Sequence, residues 1–280
     1  MNSLRKSLLL LGMAAMTYAA PAVAQQKEAK LGWKLGAQSY SFRLFTLTEA
    51  LDKLDSCGLH YVECYNGQKI GGNIEGNMDF KMDAAKRKAI QNLLKSKKKQ
   101  LVAFGVVSPK GEQEWRQMFD FAKAMGIQVI TSEPRTQDLD VVSRLADEYK
   151  IKVAIHDHPK PSHYWHPDSV LTAIQGRSQY IGACADIGHW VRSGLDPVEC
   201  LQKLKGRVFS LHMKDLHEKD RKGHDVVWGT GVCNIEGVVK ELKAQKFKGV
   251  ISAEYEHNWA NSVPDITASV KNLREIIAKK

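Results

Sequence analysis

The chain has 280 residues, with 41 Lys and Arg against 31 Asp and Glu, and a formal net charge of +10. That length is enough for one large single-domain core. Much of the basic excess lies in residues 81–99. There Ala85, Ala89, Ile90, Leu93 and Leu94 recur at helical spacing, so the lysines read as the solvated face of an amphipathic helix and not as a nucleic-acid patch. The five cysteines are odd in number and form no C-x-x-C pair, which excludes a disulfide framework.

In chain order, the first element is a targeting signal. Arg5 and Lys6 precede an apolar run from Leu8 to Ala20, and Ala22-Val23-Ala24 supplies an A-x-A cleavage pattern. The run is too short to span a bilayer comfortably. A secreted or periplasmic protein of residues 25–280 is therefore expected, with no membrane span after signal cleavage. Short apolar or β-branched runs follow near 35–42, 61–65, 101–108, 129–133, 152–158, 181–187, 208–214 and 250–256. Amphipathic helical patterns follow them near 47–57, 83–98, 112–125, 138–149, 167–176, 196–205, 235–246 and 265–278. Strands alternating with helices imply parallel pairing through right-handed crossovers. Eight such units predict a single-domain (β/α)8 TIM barrel. A doubly wound open sheet fits less well, because no G-x-G-x-x-G follows the first strand.

Four of the strand runs stop on a group that can bind a cation: Glu133, Asp186, His212 and Glu254. In each, a small residue two positions earlier (Thr131, Cys184, Ser210, Ser252) shares the same strand face. The opposite face carries Ile130, Ala185, Ile187, Phe209, Leu211, Met213, Ile251 and Tyr255, suited to packing under helices. All four groups should thus point inward at the C-terminal mouth, where barrel active sites form. Three carboxylates gathered in a buried mouth repel one another unless a cation lies among them. Oxygen-rich ligands with one imidazole suit Mn2+ first, with Mg2+, Co2+ or Zn2+ as other fits. Most histidines also fall at strand ends or in the loops after them, and Trp165, Trp190, Trp228 and Trp259 sit in the loops after strands five to eight. Aromatics at a polar mouth suit a sugar, with Trp190 a candidate contact. Gly229-Thr-Gly231 lies before the seventh helix and has the look of a phosphate nest, but two glycines in a turn read as a simple loop.

Ser132-Glu133-Pro134, Asp186-Ile-Gly-His189, His212-Met-Lys214-Asp215 and Glu254, at the ends of strands four, six, seven and eight, together resemble the xylose-isomerase-like barrel superfamily of sugar phosphate isomerases and epimerases. The resemblance runs from about residue 35 to the end. It implies that Glu133, Asp186, His212 and Glu254 bind one divalent metal, that Glu133 and Glu254 act as acid and base, and that His189 contacts a substrate oxygen. Lys214, His158 and Glu63 also end strands and are further candidate substrate contacts.

The chemistry reached from the residues agrees. A metal with open positions takes a carbonyl and its neighbouring hydroxyl, while strand four and strand eight place Glu133 and Glu254 on opposite sides of the substrate for proton transfer next to the carbonyl. An exported enzyme meets few sugar phosphates, so an unphosphorylated keto-sugar is the expected substrate and an isomerase or epimerase the expected activity. A lyase or hydratase acting on 3-keto-glycosides, or on the derived 3-keto-2-hydroxy-glycal, is the alternative. A non-catalytic periplasmic sugar-binding barrel ranks below both. The chain also resembles endonuclease IV at the same residues, but the ends of strands two and three read Glu63-Cys64-Tyr65 and Val107-Ser108, without the histidines that a three-metal site needs.

Overall fold

Runs of four to eight residues are too short to bury a helical stripe, yet they pair well as strands when both faces are covered. In the computed structural model, which describes residues 27–279, eight of them form β1 (Lys34–Gln38), β2 (Tyr61–Cys64), β3 (Gln100–Val107), β4 (Val129–Ser132), β5 (Lys152–His156), β6 (Ile181–Asp186), β7 (Val208–Met213) and β8 (Val250–Ala253). Every neighbouring pair is parallel, and the order β1-β8-β7-β6-β5-β4-β3-β2 closes on itself. The helix after each strand is Leu47–Ser56, Ala84–Ser96, Gly111–Met125, Leu139–Tyr149, Pro167–Ile174, Pro197–Lys203, Ile235–Ala244 and Val263–Ala278. The chain is thus a (β/α)8 barrel. The signal peptide expected over residues 1–24 lies outside the described residues. Among those described, no helix is long and apolar enough to cross a membrane.

Local chemistry starts and stops these helices where the sequence suggests. Thr46 and Glu49 make a reciprocal capping box, Asp83 and Asp196 cap with their carboxylates, and Gly126 ends its helix in the left-handed region. All five cysteines are free and buried.

Strand parity holds through most of the barrel. Thr131, Cys184, Ser210 and Ser252 are fully buried. Ile130, Ala185, Leu211, Met213 and Ile251 lie in the main apolar core, whose other members come largely from the helices. Phe209 breaks the pattern. Ala183 pairs with Val208 but Cys184 pairs with Ser210, so β7 carries one extra residue at this point. That irregularity turns Phe209 away from the helices and into the small cluster with Val129, Ala154, Cys184 and Val250. The ring lies against Gly182, where an added Cβ would come 2.7 Å from it. Glycine is therefore required at 182.

Three local features depart from the pattern read in the sequence. β1 ends at Gln38, short of residue 42, because the Gln38 side chain accepts the Tyr40 N–H and a 3-10 turn runs over Ser39–Phe42. A two-stranded antiparallel sheet, Lys69–Gly71 with Ile74–Asn77, follows β2. A short helix, Ile187–Arg192, begins directly at the end of β6.

Candidate active site

The C-terminal ends of the strands surround a cavity of about 330 Å3 lined by residues that include Gln38, Tyr40, Tyr65, Asn66, His156, His158, His189, Glu254 and Glu256. Asp186 and His212 are paired across β6 and β7. Glu254 follows β8 and extends its ladder, with the Glu254 N–H donating to the Met213 carbonyl. Asp186 also caps the short helix after β6, accepting the His189 N–H at 2.8 Å. The same carboxylate that ends the strand thereby orients the His189 turn.

Three buried polar atoms here make no aligned hydrogen bond: His156 Nε2, Asp186 Oδ2 and His212 Nδ1. Their separations from Asp186 Oδ2 are 3.6 Å for His156 Nε2 and 3.8 Å for His212 Nδ1. Glu254 Oε2 lies 2.9 Å from His212 Nδ1. One ligand atom from each of His156, Asp186, His212 and Glu254 falls within 4.8 Å of the others. Buried polar atoms without an aligned hydrogen bond are costly, and a divalent cation would satisfy these three together with Glu254. The residues therefore fit a metal.

Glu133, expected among the ligands, stands outside that group. It forms a second constellation with His156 and His158. Its Oε1 lies 3.4 Å from His156 Nδ1 and is also in contact with His158 Nδ1. Burial pushes the Glu133 carboxyl upward, but these two imidazoles override it and hold it at about 2.

Glu63 lies beneath the mouth and not in it. Its Oε1 accepts Thr131 Oγ1–H at 2.6 Å, while Oε2 accepts Ser252 Oγ–H at 2.6 Å and His212 Nε2–H at 3.1 Å. Glu63, expected as a substrate contact, thus lies against His212, whose Nδ1 is left without an aligned hydrogen bond and faces Asp186 and Glu254. Trp190, also expected as a contact, is 1% exposed and packed in the apolar core. Trp228 is also buried, and the ring faces at the mouth belong to Tyr40 and Tyr65, in edge contact at 5.2 Å.

Lys214 is in the site but below the cavity surface. Its ammonium lies 3.1 Å from Asp186, 2.9 Å from Glu254 and 2.6 Å from Glu256. Burial opposes its charge, yet these carboxylates hold its pKa well above the usual value. Arg192 extends the network to Asp225, Glu256 and His189 Nδ1. Burial, helped by Lys214, His156 and Arg192 and opposed by Asp186, keeps His189 well below its usual range. A neutral His189 that accepts from Arg192 at Nδ1 carries its proton on Nε2, facing Asp186. His158, half exposed, and His189 both line the cavity, with stacked rings 5.3 Å apart.

The glycine turn before the seventh helix is filled by the chain itself. Asp215 accepts the backbone N–H groups of Leu216, Gly229, Gly231 and Cys233 at 2.8–3.1 Å. The loop reading of that turn agrees with this geometry, since the N–H groups of Gly229 and Gly231 are already spent on an internal carboxylate.

Among the residues that sequence reasoning did not nominate, His156 carried a legible signal: it ends β5 in the same parity as interior Ala154. Gln38, Tyr40 and Tyr65 carried none, because the turn after β1 and the bend after β2 decide where those side chains go.

A (β/α)8 barrel with carboxylates and imidazoles gathered at its C-terminal mouth, in a group that could hold a metal ion, defines the class. Residues 51–276 match the model of the xylose isomerase-like TIM barrel family, and the chain belongs to that family. A putative uncharacterized protein from Parabacteroides distasonis is 36% identical, with 87% of this chain and 99% of that chain covered and a TM-score of 0.72. A D-tagatose 3-epimerase-like protein is 19% identical over 87% of this chain and 96% of its own, at a TM-score of 0.67. The IOLI protein with a binding zinc atom is 16% identical over 88% of this chain and 98% of its own, at 0.66. These last two likenesses show the fold. Inosose dehydratase from Clostridium perfringens is 32% identical over 94 residues, which are 28% of this chain and 32% of that enzyme. The chain thus spans about a third of the length of that curated relative.

Proposed function

We propose that the protein is a divalent-metal-dependent enzyme that moves the proton next to the carbonyl of an unphosphorylated keto-sugar, in the manner of an isomerase or epimerase. The observation that carries this reading is the convergence of orphaned His156 Nε2, Asp186 Oδ2 and His212 Nδ1 with Glu254 at the floor of an open cavity. A cation bound there supplies Lewis acidity, which favours negative charge on the substrate carbonyl oxygen. Glu133 and Glu254 approach from β4 and β8, on opposite sides of the barrel. One removes the carbon-bound proton and keeps it, while the other, in its protonated form, donates its own proton to the substrate from the opposite side. His189 Nε2–H and His158 meet substrate oxygens, and Tyr40 and Tyr65 offer ring faces to the sugar. Lys214 keeps the buried carboxylates charged.

Two observations support an unphosphorylated substrate. The glycine turn that resembles an anion cradle is filled by Asp215, and the N-terminal sequence has the pattern of an export signal. The likeness to inosose dehydratase favours a second reading, in which the same proton removal is followed by loss of a neighbouring group: a lyase or hydratase of 3-keto-glycosides or the derived 3-keto-2-hydroxy-glycal. Incubation of metal-loaded protein with free keto-sugars, a 3-keto-glucoside and its 2-hydroxy-glycal, followed by NMR, separates the two. A new keto-sugar isomer supports the first. Release of an aglycone or hydration of the glycal supports the second. Absence of turnover on the whole panel counts against both.

A further inference from the structure

Two histidines of the site are held in the same way, from opposite sides. Glu63 accepts the Nε2–H of His212 and leaves His212 Nδ1 bare. Glu133 faces Nδ1 of His156 at 3.4 Å and leaves His156 Nε2 bare. His156 is 1% exposed, and its free nitrogen points at Asp186. Metal-binding imidazoles typically donate their other N–H to a carboxylate, which fixes both tautomer and ring orientation. Glu133, by contrast, has no oxygen inside the group formed by His156, Asp186, His212 and Glu254, and its Oε1 is engaged by two imidazoles.

Building on the metal reading above, we infer that the fourth metal ligand is His156 and not Glu133, so that the site is two imidazoles and two carboxylates: His156 Nε2, Asp186 Oδ2, His212 Nδ1 and Glu254 Oε2. Glu133 is then a positioning residue for His156, as Glu63 is for His212, with only its Oε2 outside the two imidazole contacts. Lys214 does not block the site, because its closest carboxylate, Glu256 at 2.6 Å, lies outside the ligand group and retains the ammonium when a cation takes Asp186 and Glu254. Exchanging one carboxylate for an imidazole shifts preference away from Mn2+ and toward Co2+ or Zn2+.

X-ray absorption of the full chain loaded with Co2+ counts the imidazoles directly, and chelator competition gives affinity for the wild type, His156→Ala and Glu133→Gln. The inference predicts two imidazoles in the wild type and one in His156→Ala. It also predicts that Glu133→Gln keeps both imidazoles and binds Co2+ about 10–100-fold more weakly, as for a group behind a ligand, with a larger loss in His156→Ala. One imidazole in the wild type, or unchanged affinity in His156→Ala, overturns the ligand assignment while leaving the metal reading intact. Failure of the wild type to bind Co2+ overturns both. Should His156→Ala not fold, the wild-type spectrum alone decides.

Discussion

Both oxygens of Glu63 are committed beneath the mouth, to Thr131, Ser252 and His212. Burial raises the pKa of this carboxyl, but His212 and the two hydroxyls bring it below the usual range. Replacing Glu63 by Ala strands three buried partners, an effect on the order of 3–5 kcal/mol, readable as a lower urea midpoint. The same change should cost metal affinity because His212 loses its anchor. Unchanged stability would refute the role. Asp225 makes a pH prediction. Burial, opposed by Lys214 and Arg192, lifts its pKa from the usual 3.8 to about 6. The folded state thus holds the proton more tightly than the unfolded chain. Its contribution is fully present below 3.8 and is lost as pH rises through about 6, by at most roughly 3 kcal/mol. Asp225→Asn removes this titration, so its stability relative to wild type should rise between pH 4 and pH 6 in denaturation series; a flat difference contradicts the account. Sequence alone marked Asp186, His212 and Glu254 through their place at strand ends. It could not separate Glu63, which has the same parity, because the depth at which a strand-end side chain stops depends on neighbours in β4, β7 and β8.

The loops between β7 and the seventh helix show how an element closes around one residue. Asp215 takes four backbone N–H groups, and a Cβ on Gly231 would fall 2.6 Å from its Oδ1. Asp215→Ala leaves those donors buried and unpaired, which should cost several kcal/mol at about 1–3 kcal/mol per group where water cannot enter. The loss should appear in thermal unfolding with His156, Asp186, His212 and Glu254 left in place; a wild-type melting temperature would contradict it. At this scale the eight strand and helix positions were legible from periodicity, because each helix buries one stripe and each strand both faces. What escaped was set by single side-chain contacts: the Gln38 bond that ends β1, the Asp186 cap that starts a helix at 187, and the extra residue that turns Phe209 into the barrel.

Across the whole molecule, the barrel brings residues from the ends of its strands to one mouth and gathers buried charged groups there. A ligand that binds only the folded state stabilises it by about 2.7 kcal/mol at one hundred times its Kd. For a domain of this size each kcal/mol shifts the melting temperature by roughly 2–4 °C. Saturating Co2+ or Mn2+ should therefore raise the midpoint by about 5–10 °C, and a chelator should reverse it; no shift at saturation would argue against a structural cation. The chemistry itself is tested most directly by proton exchange. Metal-loaded protein, chelated protein and the Glu254→Gln variant are each incubated with keto-sugars in deuterated water, and NMR follows the hydrogen next to the carbonyl. The account predicts metal-dependent incorporation of deuterium at that carbon, lost on chelation and reduced by about 100-fold or more in Glu254→Gln. Turnover of any substrate in the panel without exchange at that carbon, or exchange that survives complete metal removal, would contradict it.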